Sequence, residues 1–260
     1  MAPTPYAFVS CHVERPLDDA VWAAFSRFQA RRPGGFAVAA LMRPPDAGED
    51  EARWLERARG ATARGPFGHH THWGGETQAR PVGGDPADRV RREGEWIRAH
   101  GLDPRVFCGG GWYLDAAVAA AVADLGYVDA TATAYRQSYL AADAPRVSAA
   151  QPTWLRLDDG RRLLELPATH SLGMLVRGLA GPLPRVVHVH FHDWDLVDRR
   201  RAVALAVALR LLRLRRRPVD VVRAAELAAA EAPQVLFGQA AGVESPAGGQ
   251  QAPLAGRADG

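Results

Sequence analysis

The chain has 260 residues, 47% of them hydrophobic and 23% charged, which suits one large domain with a full core; barrels of about 200–250 residues commonly form a single domain. Its 32 basic residues are all arginine and stand against 29 acidic ones, for a net charge of +3, a balance that argues against a polyanionic partner such as nucleic acid. The two cysteines, Cys11 and Cys108, exclude a disulfide framework, and the longest apolar run, Ala202 to Leu209, is far short of the roughly 20 residues that span a bilayer.

The N-terminus MAPTPYAFVSCHVE has no basic region leading into a long apolar run, so no secretory signal is read there and a soluble, cytoplasmic protein is expected. Beyond it, strand-like and helix-like runs alternate, the pattern of βαβ units around a parallel sheet. YAFVSCHV (6–13) is the first strand. LDDAVWAAFSRFQARR follows with Val21, Ala24, Phe25 and Phe28 at helical spacing, acids at its start and arginines at its end, as the helix dipole favours. GGFAVAALMRPP is the second strand, GEDEARWLERARGATA the next helix, and GPFGHHTHW the third strand. DPADRVRREGEWIRAHG is a helix with Pro86 in its first turn and Gly101 at its end. RVFCGGGW is a short strand running into a glycine turn, and DAAVAAAVADLG is a helix with a glycine stop. YVDATATAY, RRLLELPATH and RVVHVHFH supply three further strands, and two helices close the series, VDRRRAVALAVALRLLRLRRR and VDVVRAAELAAAEA. Seven strands with interleaved helices predict an α/β fold, a distorted (β/α) barrel of about seven parallel strands over residues 1–232. Chemistry in such a fold belongs at the C-terminal strand ends. Residues 233–260, rich in Gly, Ala, Pro and Gln, read as a disordered low-complexity tail.

Histidine marks those ends. His12 and Glu14, two apart at the end of the first strand, share a face. His70 and His72 share one in the same way, with His69 and Thr71 turned from it. Two imidazoles on one strand end, joined by a group from another strand, make a site for zinc or a similar divalent ion. On RVVHVHFHDWD, His188, His190 and His192 line one face, costly to bury without partners. Of these His192, nearest the strand end and followed by Asp193 and Asp195, is placed to reach a substrate, whereas His188 reads as structural. His170 also stands where a strand gives way to a loop. In FCGGGWYLD, Gly110 would let a ligand approach the backbone, and Trp112 and Tyr113 could stack on a sugar. The arginines of RLLRLRRRP are those of an outer helix end.

In this order the segments resemble the polysaccharide deacetylase (NodB-homology) family of carbohydrate esterases, over roughly Tyr6 to Glu231. VSCHVE stands where relatives carry S-F-D-V-E or T-F-D-D-G, GHHTHWGG resembles the His-rich second motif, VFCGGGWYLDAAVAAAVADLGY the third, and HVHFHDWDL the last strand, which brings a catalytic histidine. Several positions depart from the pattern. His12 takes the place of the catalytic Asp, and Val13 that of a metal-binding Asp, leaving Glu14 as the nearest carboxylate. Gly68 stands where the first ligand of the second motif belongs, and Cys108 where the third motif has arginine. The resemblance implies a divalent metal, with zinc expected, that activates water against an acyl carbonyl of an N-acetylated sugar or small amide. It places His70 and His72 with His12 or Glu14 as ligands, His12 or Glu14 as base and His192 as acid; the residue reading adds Gly110, Trp112, Tyr113, His170 and Asp193 around a carbohydrate or other small-molecule substrate. The alternative is a catalytically impaired barrel of the same kind that binds a carbohydrate or metabolite.

Overall fold

The computed structural model describes residues 4–140, 144 and 146–240. Its elements begin with strand β1 (Tyr6–Val13), helix α1 (Asp19–Arg31), β2 (Val38–Met42), α2 (Glu51–Thr62), β3 (Phe67–Thr71), α3 (Pro86–Ala99), β4 (Val106–Gly109) and α4 (Ala116–Asp124). They continue with β5 (Val128–Asp129), β6 (Thr153–Arg156), β7 (Arg162–Glu165), β8 (His170–Ser171), α5 (Leu172–Gly178) and β9 (Val186–His192). The last are α6 (Arg199–Arg213), β10 (Arg217–Pro218), α7 (Val221–Ala229), β11 (Gln234–Leu236) and α8 (Phe237–Ala240). No helix among the described residues is long and apolar enough to cross a membrane.

Local chemistry explains where the helices begin. The chain has no asparagine, and aspartate does the capping. Asp18, Asp50, Asp85, Asp115, Asp198 and Asp220 each accept a hydrogen bond from first-turn backbone amides of α1, α2, α3, α4, α6 and α7. Ser171 does the same for α5. Each cap satisfies amides that the helix itself leaves unpaired and puts a negative charge at the positive end of the dipole.

The sheet is a parallel barrel wall. β4, β3, β2, β1 and β9 pair in sequence, all in parallel, with β5 beyond β4 and β8 beyond β9. By ladders alone this path is open. The stretch from β7 to β8 completes the ring through single backbone bonds: Leu166 N–H donates to Asp129 O and Ala168 N–H to Ala132 O, while Thr169 N–H donates to His188 O. One extended segment thus leans on β5 with its first half and on β9 with its second, which gives seven staves among the described residues, as the patterning predicts. The expected strand YVDATATAY is reduced to Val128–Asp129, because residues after it make isolated bridges instead of a ladder.

Side-chain parity then divides the interior from the outer layer. Tyr6, Phe8, Leu41, Val106, Cys108, Ala130, Leu164, Leu166 and Val186 form the barrel's inner core. Val9, Cys11, Val13, Phe25, Trp54, Val189, Phe191 and Leu209 form the layer between the wall and its helices. Several features were not expected, among them helix α5, the short strand β10 and the division of RRLLELPATH into β7 and β8. Thr153–Arg156 and Arg162–Glu165 make an antiparallel hairpin across Asp158-Asp159-Gly160, with Gly160 at φ 85°. The wall also runs past Pro233, since β11 pairs with β6; residues 241–260 of the expected tail lie outside the described residues.

A polar anchor holds the end of β4. Gly109 N–H donates to Thr131 Oγ1 (2.8 Å), and Thr131 Oγ1–H donates to Asp129 Oδ1 (2.7 Å). Asp129 sits beside Glu165 in register, both fully buried. Burial and the neighbouring Asp129 push the Glu165 carboxyl well above its ordinary range, so it keeps its proton, because two adjacent carboxylates cannot both ionise there.

Candidate metal and catalytic centre

The inward face of the wall changes from apolar to imidazole on approaching the C-terminal strand ends. Phe8, Ser10 and His12 follow one another inward on β1; Gly68, His70 and then His72 on β3 and just past it; His188, His190 and His192 on β9. The period-two alternation of strands dictates these sets.

His188 is the structural member. Its Nδ1–H donates to Leu166 O (3.0 Å), its Nε2 accepts from Ser10 Oγ–H (2.8 Å), and its ring stacks on Phe8 at 4.3 Å. Burial pushes its pKa down to about 4. His69 faces away from the barrel interior, as its parity predicts, and bonds Glu93 (2.9 Å) and Thr71 (2.9 Å).

The remaining histidines converge. His70 Nδ1 lies 2.8 Å from the carbonyl of Cys108, and His72 Nδ1 lies 3.1 Å and 3.2 Å from the carbonyls of Gly75 and Glu76. A carbonyl only accepts, so both Nδ1 atoms carry the proton and both Nε2 atoms present lone pairs when the rings are neutral. Those two Nε2 atoms are 3.1 Å apart. Glu14 Oε1 lies 3.5 Å from the first and 3.4 Å from the second. Three acceptor atoms from Glu14, His70 and His72 therefore face one another with no hydrogen between them, an arrangement that a cation reconciles. For bonds of about 2.0–2.2 Å to nitrogen and oxygen, a tetrahedral ion has ligand-to-ligand edges of about 3.3–3.6 Å, and the three observed edges are close to that range. The residues present thus fit a divalent metal. Burial raises the Glu14 carboxyl, but contacts with His70 and His72 and the charge of His192 outweigh it and hold Glu14 far below the usual carboxylate range.

His192 approaches the same Glu14 oxygen from β9, its Nε2 3.5 Å away. Behind it, Asp195 accepts the backbone N–H of His192 (3.0 Å), lies 3.8 Å from its Nδ1, and is held by Arg201 (2.7 Å). Burial lowers the His192 pKa, but Asp195 and Glu14 outweigh it and the net direction is up. Trp194 stacks on His192 at 4.5 Å and donates its indole N–H to Glu14 Oε2 (3.2 Å). Asp195 and Trp194 were not among the expected site residues. The spacing H-x-W-D held the signal, since Asp195 reaches the third residue back across a single 3₁₀ turn.

His12 occupies the middle of the cluster, its ring 4.6 Å from His70, 5.1 Å from His192, 5.3 Å from Trp112 and 5.6 Å from His190. Burial, then the neighbouring imidazoles, hold its pKa well below the ordinary histidine value. Trp112 is buried at φ 59°, in the left-handed region that large side chains rarely adopt, and its ring sits 4.7 Å from His190. Gly110 makes room for the loop after β3: a Cβ there would lie 2.6 Å from Thr71 O and 2.8 Å from His72 Cδ2.

Other expected residues stand elsewhere. Tyr113 turns to Asp115, Trp73 and Arg80. His170 bonds Thr169 (2.9 Å) and has no hydrogen bond or ring contact with the cluster among the described residues. Asp193 is fully buried and accepts the backbone amides of Arg15 and Trp194 (both 2.9 Å), tying the end of β1 to that of β9. A cleft of about 390 Å³ opens beside His192 and Asp195, lined by Leu172, Val176, Arg177 and Ala204.

Residue 68 has no room for a side chain on the inward face. A Cβ there would meet Leu41 Cδ2 at 2.3 Å and the backbone oxygen of Val106 at 2.6 Å, so no side chain fits without moving the wall. Gly68→Ala is expected to cost about 1–3 kcal/mol, the range for overpacking, read as a lower denaturant midpoint; an unchanged midpoint would show that the wall yields.

No family model matches the sequence, and no curated protein matches it. Among solved structures, a 4-alpha-glucanotransferase from Thermococcus litoralis superposes with a TM-score of 0.53 at 12% identity, over 93% of this chain and 40% of that one. A mutant described as a CE4 family pseudoenzyme with restored enzymatic activity superposes with a TM-score of 0.52 at 9% identity, over 90% of this chain and 71% of that one. At these identities the likeness shows the fold, and this chain spans well under half the length of the first of them. The family that the sequence motifs resemble is thus supported at the level of fold.

Proposed function

We propose that this protein is a metal-dependent hydrolase that removes an acyl group from the nitrogen of an N-acetylated sugar or small amide. The observation that carries it is the convergence of Glu14 Oε1 with the lone pairs of His70 and His72, with His192 at 3.5 Å on the same oxygen. Glu14, His70 and His72 would hold the ion, zinc by the chemistry of the donor set, leaving His12 outside that set. The ion would supply Lewis acidity toward the acyl carbonyl and the attacking water.

The chain's own residues would do the proton work. His12, kept neutral by burial, has one ring nitrogen with a lone pair to accept the proton that water loses on attack. His192, backed by Asp195, holds a proton for the nitrogen as the C–N bond breaks. His190, with Trp112 packed against it, lines the adjoining cleft, which is large enough for a sugar-sized group. The CE4-family likeness supports the reading at fold level.

One observation favours the second reading, a barrel that binds without hydrolysing: a histidine held so far below its ordinary pKa is a weak base. Hydrolysis of a generic acetylated amine by zinc-reconstituted protein separates the two. Turnover that falls about 10²–10⁴-fold in His12→Ala is expected; absence of turnover in the wild type would leave the binding barrel.

A further inference from the structure

Within the barrel interior lies a second set of ligand atoms, one member of which, Cys108, the proposed hydrolysis does not use. Cys108 Sγ lies 3.5 Å from His12 Nε2. Ligand atoms of His12, His70 and Cys108 all lie within 4.8 Å of one another, and all three side chains are buried. An ion bound tetrahedrally through about 2.3 Å to sulfur and about 2.0–2.1 Å to nitrogen has a sulfur–nitrogen edge of about 3.5 Å. The Cys108–His12 spacing therefore fits two ligands of one ion.

His70 links this set to the first. Its Nδ1–H is engaged with the Cys108 carbonyl, so it has a single lone pair, at Nε2, to give. The two sets compete for that lone pair, and an ion takes one position or the other. Their chemistry differs: Glu14, His70 and His72 offer a carboxylate and two imidazoles, whereas Cys108 replaces the carboxylate with a soft sulfur ligand.

We infer that the pocket has two mutually exclusive metal positions, and that thiophilic ions such as Cd²⁺ take the one formed by Cys108, His12 and His70. The inference shares His70 with the proposed hydrolytic position and deepens that reading. Filling the thiol position breaks the Cys108 S–H bond, forms a metal–sulfur bond and releases the proton to solvent. It also uses the His12 lone pair and withdraws His70 from Glu14, so thiophilic ions inhibit the hydrolysis.

The test is titration of chelator-stripped, tag-free protein with CdCl₂, followed by near-ultraviolet thiolate-to-cadmium absorption. The wild type is expected to gain a band that saturates at one ion per chain, with one proton released. Cys108→Ser abolishes it. Cys11→Ala keeps it, because Cys11 packs in the outer layer. His12→Ala, which leaves the thiol in place should the serine variant fail to fold, weakens Cd²⁺ binding by more than ~10-fold, the least that a lost outer partner costs. His72→Ala retains the band in full. A wild type without the band, a band that survives Cys108→Ser, or one lost in His72→Ala overturns the inference. Zinc retention is read separately: a wild type that shows the cadmium band but retains no zinc sinks the hydrolytic reading and leaves the thiol position standing.

Discussion

Tag-free protein reconstituted with zinc and freed of excess is expected to retain one ion per chain, and His70→Ala/His72→Ala none. The expectation rests on tautomers. Carbonyls at 2.8 Å from His70 and at 3.1 Å and 3.2 Å from His72 fix both Nδ1 protons. Both Nε2 lone pairs then point at each other and at a carboxylate oxygen. Without a cation that geometry is repulsive; with one, each acceptor gains a bond. Removing both imidazoles leaves Glu14 as the last ligand of the proposed set. The variant should also lose the stabilisation that zinc confers, about 2.7 kcal/mol at a hundredfold excess over the dissociation constant, seen as a melting temperature that no longer responds to zinc. Metal analysis and thermal melts read the two effects separately. A wild type that keeps no ion, or a double variant that keeps as much, would remove the basis of the hydrolase reading.

His192→Ala is expected to lower kcat by about 10²–10⁴-fold, the range for loss of a general acid, with KM little changed. The departing amine needs a proton, and His192 must carry one near neutral pH to give it. Burial opposes that charge, but Asp195, held against His192 by Arg201, favours it. A cation on Glu14 would cancel part of that carboxylate's help, which leaves Asp195 as the group that keeps His192 protonated. The sign follows: activity is full while His192 is protonated and declines as pH rises through its raised pKa. Asp195→Asn removes the supporting charge, so the alkaline limb of the rate profile moves to lower pH, with a smaller loss of kcat below it. An alkaline limb that stays in place in Asp195→Asn would assign His192 another role.

Much of this centre is legible one strand at a time. The pairs His12/Glu14 and His70/His72 and the triplet His188/His190/His192 follow from alternation, which a parallel strand enforces whatever surrounds it. Asp195 and Trp194 were legible in principle, from their place one turn beyond His192. The hairpin at Asp158-Asp159-Gly160 was equally legible, since an Asp-Gly pair between apolar runs is a strong turn signal. Tyr113 and His170 show the limit of such reading. Each sits beside a strand end, yet a hydrogen bond to Asp115 in one case and to Thr169 in the other turns the side chain to a neighbour of its own.

The order of strands and helices, the aspartate caps and the face of the wall that carries each histidine were determined by sequence alone, because they depend on contacts a few residues apart. Which of those residues meet was decided only by the tertiary structure. Glu14 lies against both His70 and His72, because the chain places its carboxylate past the end of β1, while His12 remains inside the wall between His70 and Cys108. A side chain at residue 68 is excluded by Leu41 and Val106 on the neighbouring staves. Contacts between staves depend on barrel closure and strand tilt, which bring residues 14, 70, 72 and 192 together across separations that no local pattern records.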